Sequence, residues 1–186
     1  MLILCDNSQG YRNHAGSPPV RMAEIMSTLL NERRALMCLR KTPVLLRALL
    51  KDAQPHSIRT LTDGPDGWNV IYVLCHLRDY ERIFLGRMRA MAEQERPAIV
   101  SVEPETLIAQ NDYASASYPE VFDELIAARR ETIACLETLR PEQWLREGAH
   151  PDYANYSILN LANFICMHDI DHLEQIARIL GLAEAL

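Results

Sequence analysis

Apolar positions recur along this chain with a period near 3.6, and the breaks between periodic runs carry Pro, Gly and Asp. From Val20 to about Ala53 the pattern is helical. Thr42-Pro43 predicts an internal helix start, with Thr as N-cap and Pro at the first helical position. Leu45, Leu46, Leu49 and Leu50 then make the stripe of a buried face. Asp63-Gly-Pro-Asp-Gly67 reads as a loop, after which Asn69 caps a second helix running to about Glu95. Its Val70, Val73, Leu74, Leu77, Phe84, Leu85 and Met88 share one face.

Residues 97–118 form a long connection, with a short helix expected around Glu105–Ala109. Pro119 opens a third helix, about Glu120 to Leu139, with Val121, Leu125, Ile126, Ile133 and Leu136 facing inward. Pro141, Gly148 and Pro151 break the chain again. Ser157 then caps a fourth helix, about Ile158 to Leu180, which Gly181 stops. Four amphipathic helices with one long crossover predict an all-α fold, a four-helix bundle. The bundle domain is placed at residues 31–186. Residues 1–30, with mixed polar character and Pro18-Pro19, are set apart as an N-terminal extension, either flexible or an extra helix.

Composition narrows the function classes. Of 186 residues, 48% are hydrophobic and 24% charged, as in a folded protein rather than a disordered one. The 7 glycines form neither GxGxxG nor GxxxxGK[ST], so the two common phosphate-cradling loops are absent. Net charge is −6, but unevenly spread: residues 1–62 hold nine Arg/Lys against four Asp/Glu, and residues 63–186 hold ten against twenty-one. No Phe, Tyr or Trp lies between Tyr11 and Trp68, so Arg33, Arg34, Arg40, Lys41 and Arg47 lack stacking partners for bases. They are read as a solvated helix face, and no nucleic-acid partner is expected.

The 5 cysteines are odd in number and form no CxxC, which favours reduced, buried thiols in a cytoplasmic protein over disulfides or a thiolate zinc site. The longest uncharged run, Tyr153 to His168, is too short and too polar to span a bilayer. MLILC is followed at once by Asp6 and does not read as a signal peptide, so neither membrane association nor export is expected.

The chemistry concentrates in histidine. His168 and His172, four apart, lie on one helical face together with Leu161, Phe164, Ile165, Ile176 and Ile179, which aims both rings at the core. Core histidines are read either as satisfied hydrogen-bonding groups or as ligands of one metal ion. His76, on the inward face of the second helix, supplies a third candidate that could converge with them across the bundle. Three neutral imidazoles leave open positions for water, a thiol or substrate.

Asp169 stands where a zinc protease carries its general-base Glu, but the rest of that pattern is missing, which excludes the protease reading. Asp79, Asp169 and Asp171 are near enough in sequence to accept ring N–H bonds, or else are solvated and capping charges. Cys75 and Cys166 turn to other helix faces and are read as packing residues. His150 is expected at the mouth of the site, while His14 and His56 are incidental. Trp68, Tyr72, Tyr80, Trp144 and Tyr156 shape a pocket or pack in the core. There is no GxSxG elbow for covalent catalysis.

Several of these segments resemble the DinB-like (damage-inducible) superfamily of metal-binding four-helix bundles. They are Trp68-Asn69 with Val73-Leu-Cys-His76-Leu-Arg-Asp-Tyr-Glu81, Arg87 with Glu95-Arg-Pro97, Arg146-Glu-Gly-Ala-His150-Pro151, Ser157-Ile-Leu, and His168-Asp-Ile-Asp-His172-Leu-Glu-Gln-Ile176. The resemblance spans about residues 35–182. Asn69 stands where Ser is usual, and Tyr156-Ser157 replaces a common Gly/Thr turn.

The resemblance implies that His76, His168 and His172 hold a divalent metal ion, whether zinc, nickel, iron or manganese. It also implies activity as a thiol-dependent S-transferase, a thiol-dependent isomerase or a metal-dependent hydrolase, and assembly as a homodimer. The expected partners are a small-molecule substrate and a low-molecular-weight thiol. The competing reading is a non-catalytic metal-binding or stress-response protein whose metal is structural or sensory. A third makes the basic N-terminal third an interaction module.

Overall fold

Three residues that leave the helical pattern set the ends of the two helices that matter most. In the structure, a computed structural model that describes residues 31–183, the Asn69 side chain accepts from the backbone N–H of Tyr72 (3.0 Å) and starts a helix over Val70–Glu93. Ser157 does the same for Asn160 (3.1 Å) at the head of Ile158–Ile179. Gly181, at φ +68°, ends that helix: its N–H reaches the Arg178 carbonyl and the Leu182 N–H reaches Ala177, a paired closure that needs a left-handed residue.

The helices in chain order are α1 (31–39), α2 (Thr42–Leu50), α3 (Pro55–Thr60), α4 (Val70–Glu93), α5 (Pro104–Asn111), α6 (Tyr118–Glu137), α7 (Pro141–Trp144) and α8 (Ile158–Ile179). No strand occurs among the described residues, only isolated bridges. α4 packs on both α6 and α8, and α2 packs on α8. This is an all-α, four-helix arrangement in which α1 and α2 together fill the first place. No helix among the described residues is long and apolar enough to cross a membrane. The inward face expected of α4 is realised in full, since Val70, Val73, Leu74, Leu77, Phe84, Leu85 and Met88 are all buried.

Two expectations change and two are sharpened. The first periodic stretch breaks at residues 40–41. Lys41, not Thr42, holds the N-cap position of α2; the Thr42 hydroxyl donates instead to Asp169 Oδ2 (2.5 Å), a partner 127 residues away. Leu45 is 47% exposed, whereas Leu46 and Leu50 of its stripe are buried and Leu49 packs half-buried against them. In the long connection α5 realises the short helix expected around Glu105–Ala109, a 3-10 turn at Tyr113–Ser115 follows it, and buried Tyr113 donates its hydroxyl to Asp79 (2.8 Å). The expectations for residues 1–30, including His14 and Cys5, fall outside the described residues.

One buried ion cluster ties the bundle together. Arg129 of α6 donates to both oxygens of Glu81 on α4 (2.9 and 2.7 Å) and to both of Asp169 on α8 (2.5 and 2.9 Å). It also reaches the Leu39 carbonyl at the end of α1 (3.3 Å). Burial alone would lower the Arg129 pKa; the two carboxylates overrule it and raise it. The connections before α5 and α8 are stitched to each other as well. The Ile99 N–H donates to the Ala149 carbonyl (2.9 Å) and the Ala149 N–H to that of Pro97 (2.8 Å). A Cβ at Gly148 would stand 2.6 Å from Ile99 Cγ1, so only glycine fits this close approach.

Candidate metal centre

His76 stands on the second turn of α4, and His168 and His172 lie one turn apart on α8 where it faces α4. The four-residue spacing and the packing of α8 on α4 bring three Nε2 atoms together. His76 Nε2 lies 3.0 Å from His168 Nε2, which lies 3.2 Å from His172 Nε2. Among the described residues these three alone form a group of ligating atoms that could hold a metal ion. Nitrogens bound about 2.0–2.1 Å from one cation would be spaced by roughly 2.9–3.4 Å, so the donor set fits.

Proton bookkeeping points the same way. His172 Nδ1 meets Gln175 Oε1 (2.8 Å), and the amide is oriented by Gln175 Nε2 donating to Asp63 Oδ2 (3.2 Å). The ring therefore carries its proton on Nδ1 and presents a lone pair at Nε2. One proton on His168 Nε2 could satisfy only one of its two neighbours, whereas a cation satisfies all three. Burial holds the rings neutral, the form that binds metal. His76 is pushed down to about 3 by burial, with help from His172 and His168, and His168 to about 4 by burial and His172. His172 is lowered too, mainly by burial. His76 Nδ1 is buried without a partner.

The trio forms the floor of a cavity of about 520 Å³, a volume suited to a small organic molecule. Rings line it. Tyr80 lies 4.5 Å from His76 between centroids and donates its hydroxyl to the Val102 carbonyl (2.6 Å). Phe164 stacks on His168 at 5.9 Å and 23°. Phe84, Tyr153 and Tyr156 continue the wall, and the connections around Ser101–Glu103 and His150–Tyr156 make the mouth, where His150 was expected. The expected inward stripe of α8 is thus corrected at one place: Phe164 is 43% exposed at the cavity edge rather than in the core.

The acidic candidates for outer acceptors do not reach the rings. Asp79 accepts from Arg78 (2.7 Å), Asn111 (2.8 Å) and Tyr113 (2.8 Å), and Asp169 is spent on Arg129 and Thr42. Asp171 is exposed. Gln175 takes the role instead; its position three residues after His172 was the available signal. Trp68 touches the His76 ring at 5.1 Å, whereas Tyr72 packs on Tyr113 and Trp144 lies in the core. His56 is exposed on α3. Cys75 and Cys166 are buried free thiols outside the trio.

No curated protein matches the chain in sequence. Among solved structures it is similar to YfiT from Bacillus subtilis, described as a probable metal-dependent hydrolase with an unusual four-helix bundle topology. The two share 24% identity at a TM-score of 0.68, over 82% of this chain and 89% of that one, a likeness of fold. The model of the DinB superfamily matches residues 38–176, and with a bundle of this topology around the three histidines, the chain belongs to the DinB superfamily.

Proposed function

We propose that the chain is a metal-dependent enzyme, a hydrolase or a thiol-dependent S-transferase, that holds one divalent cation on His76, His168 and His172 and takes a small molecule into the adjoining cavity. The observation that carries this reading is the convergence of three Nε2 lone pairs on the floor of that cavity. A structural metal site is closed by a fourth protein ligand, whereas no thiol or carboxylate joins the trio among the described residues. That favours a substrate-handling site over a structural or sensory one.

Lewis acidity is the chemistry such an ion supplies, which lowers the pKa of a water or a substrate thiol toward neutrality. The chain's own residues do the rest. Gln175 keeps the His172 proton on Nδ1 and its ring in register, and the aromatic walls exclude bulk water from the floor. The Tyr80 hydroxyl is committed to Val102, which fixes its ring against His76.

Elemental analysis of the purified protein should find about one divalent ion per chain. His76→Ala and His168→Ala should lose it while retaining helical circular dichroism, together with any activity in a screen of ester hydrolysis and thiol conjugation. Metal content unchanged in those variants would sink the assignment.

A further inference from the structure

Arg87 lies on the same face of α4 as His76, three turns on and about 16 Å further along the axis. Its guanidinium borders the cavity, donating to the Tyr156 hydroxyl (3.0 Å) and the Val100 carbonyl (2.7 Å). It also rests on the rings of Phe84 and Tyr156, at 5.8 and 6.0 Å from their centroids. What it lacks is a counter-ion: among the described residues no carboxylate pairs with Arg87. Most of its N–H donors stay uncommitted.

A second donor stands beside it. The His150 ring packs on Tyr156 at 4.6 Å between centroids, and its side chain is 3% exposed. The backbone N–H of Asp152 donates to His150 Nδ1 (3.1 Å), so the neutral ring carries its proton on Nε2. Burial first, and then the Arg87 charge, hold the ring in that neutral form. The Tyr156 hydroxyl, accepting from Arg87, keeps its own proton to give. The cavity's acids, Glu103 and Asp152, stand on its exposed rim, and Asp152 already accepts from Ser101 Oγ (2.7 Å). This wall therefore offers donors and positive charge, while flat apolar rings run from it toward the histidines.

We infer that Arg87, His150 and Tyr156 form an anion subsite that holds the carboxylate of an elongated substrate with a flat apolar body, aiming its far end at the three histidines. A cationic ligand would meet the Arg87 charge. The inference rests on the proposed metal-dependent function only for what lies at that far end.

The test uses 4-phenylbutyrate and its uncharged isostere 4-phenylbutyramide, titrated calorimetrically into the full chain, both metal-free and zinc-loaded. The acid should bind about tenfold or more tighter than the amide in both forms, the worth of a hydrogen bond to a charged group. Arg87→Gln should bring the acid down to the level of the amide and leave the amide and the zinc content unchanged. His150→Gln should cost the acid less. Equal affinities in the wild type, or no binding of either compound, overturn the subsite whatever the variants do. A preference seen only with zinc and surviving in Arg87→Gln overturns it too, because the carboxylate would then sit on the metal. Failure of the metal reading registers separately, as absence of zinc uptake with the metal-free preference intact.

Discussion

Helices α4 and α8 each serve two buried polar clusters, and the two are built on opposite terms. Around Arg129, opposite charges meet: two carboxylates, a hydroxyl and a carbonyl satisfy the guanidinium and one another from four directions. At the histidines, like meets like, with lone pairs converging and His76 Nδ1 left unpartnered. His168 and Asp169 are neighbours in sequence, yet the 100° step of the helix sends one to each cluster. Burial of titratable groups is common to both. What separates the two is whether the protein itself supplies the opposite charge.

That contrast breaks most visibly at Arg129. Arg129→Met should cost about 3–5 kcal/mol, because it strands Glu81 and Asp169 without a cation in the core. Replacing all three by apolar residues of similar volume should cost far less, since the uncompensated charge goes with them. Denaturant unfolding of the single and triple variants measures both. A single variant as stable as the wild type would mean the cluster is not a structural tie. Zinc uptake by the folded fraction should survive, as none of the three residues touches the trio.

How far each cluster was legible follows from the range of its contacts. The histidine trio was readable because two members are four apart on one helix and the third sits on an inward face already marked by Val73 and Leu77. The caps at Asn69 and Ser157 and the stop at Gly181 were readable for the same reason: each acts within four residues. Thr42 was misread because its hydroxyl answers Asp169 across the bundle, which no local pattern records. The same distance hid the Arg129 cluster and turned Asp79 and Asp169 into false outer acceptors. Helices α3 and α7 went unread because six and four residues are too few to show a period.

The histidine cluster should reveal itself in acid, in the metal-free protein. Above the ordinary histidine value of 6.5 the folded and unfolded states are both neutral, and nothing is lost. Below it the unfolded chain takes up protons that the buried rings refuse, their values being lowered, to about 3 for His76 and about 4 for His168. Stability therefore falls as pH drops from about 6.5, with the loss complete only below about 3. Urea midpoints measured across that window should slope downward toward acid, and His76→Ala should flatten the slope. An equal slope in wild type and variant would break the comparison, because the trio would then be no more strained by protons than a satisfied core.

The finest distinction concerns Gln175, which orients the trio without adding a ligand atom to it. Gln175 holds the His172 Nδ1 proton and is itself held by Asp63, which Arg178 clamps from the next turn of α8. Gln175→Ala leaves all three ligands in place but frees the His172 ring to rotate and to shift its proton to Nε2, where it would block the lone pair. Outer partners of this kind are worth about 10–100-fold in metal affinity, so chelator competition should show zinc held more weakly by that factor. The metal-free protein should unfold at nearly the wild-type midpoint, since Gln175 contributes little packing. Gln175→Glu, which keeps an acceptor facing Nδ1, should retain most of the affinity. Wild-type affinity in Gln175→Ala would mean that packing alone orients His172, and that the two clusters differ in charge balance but not in how their members are held.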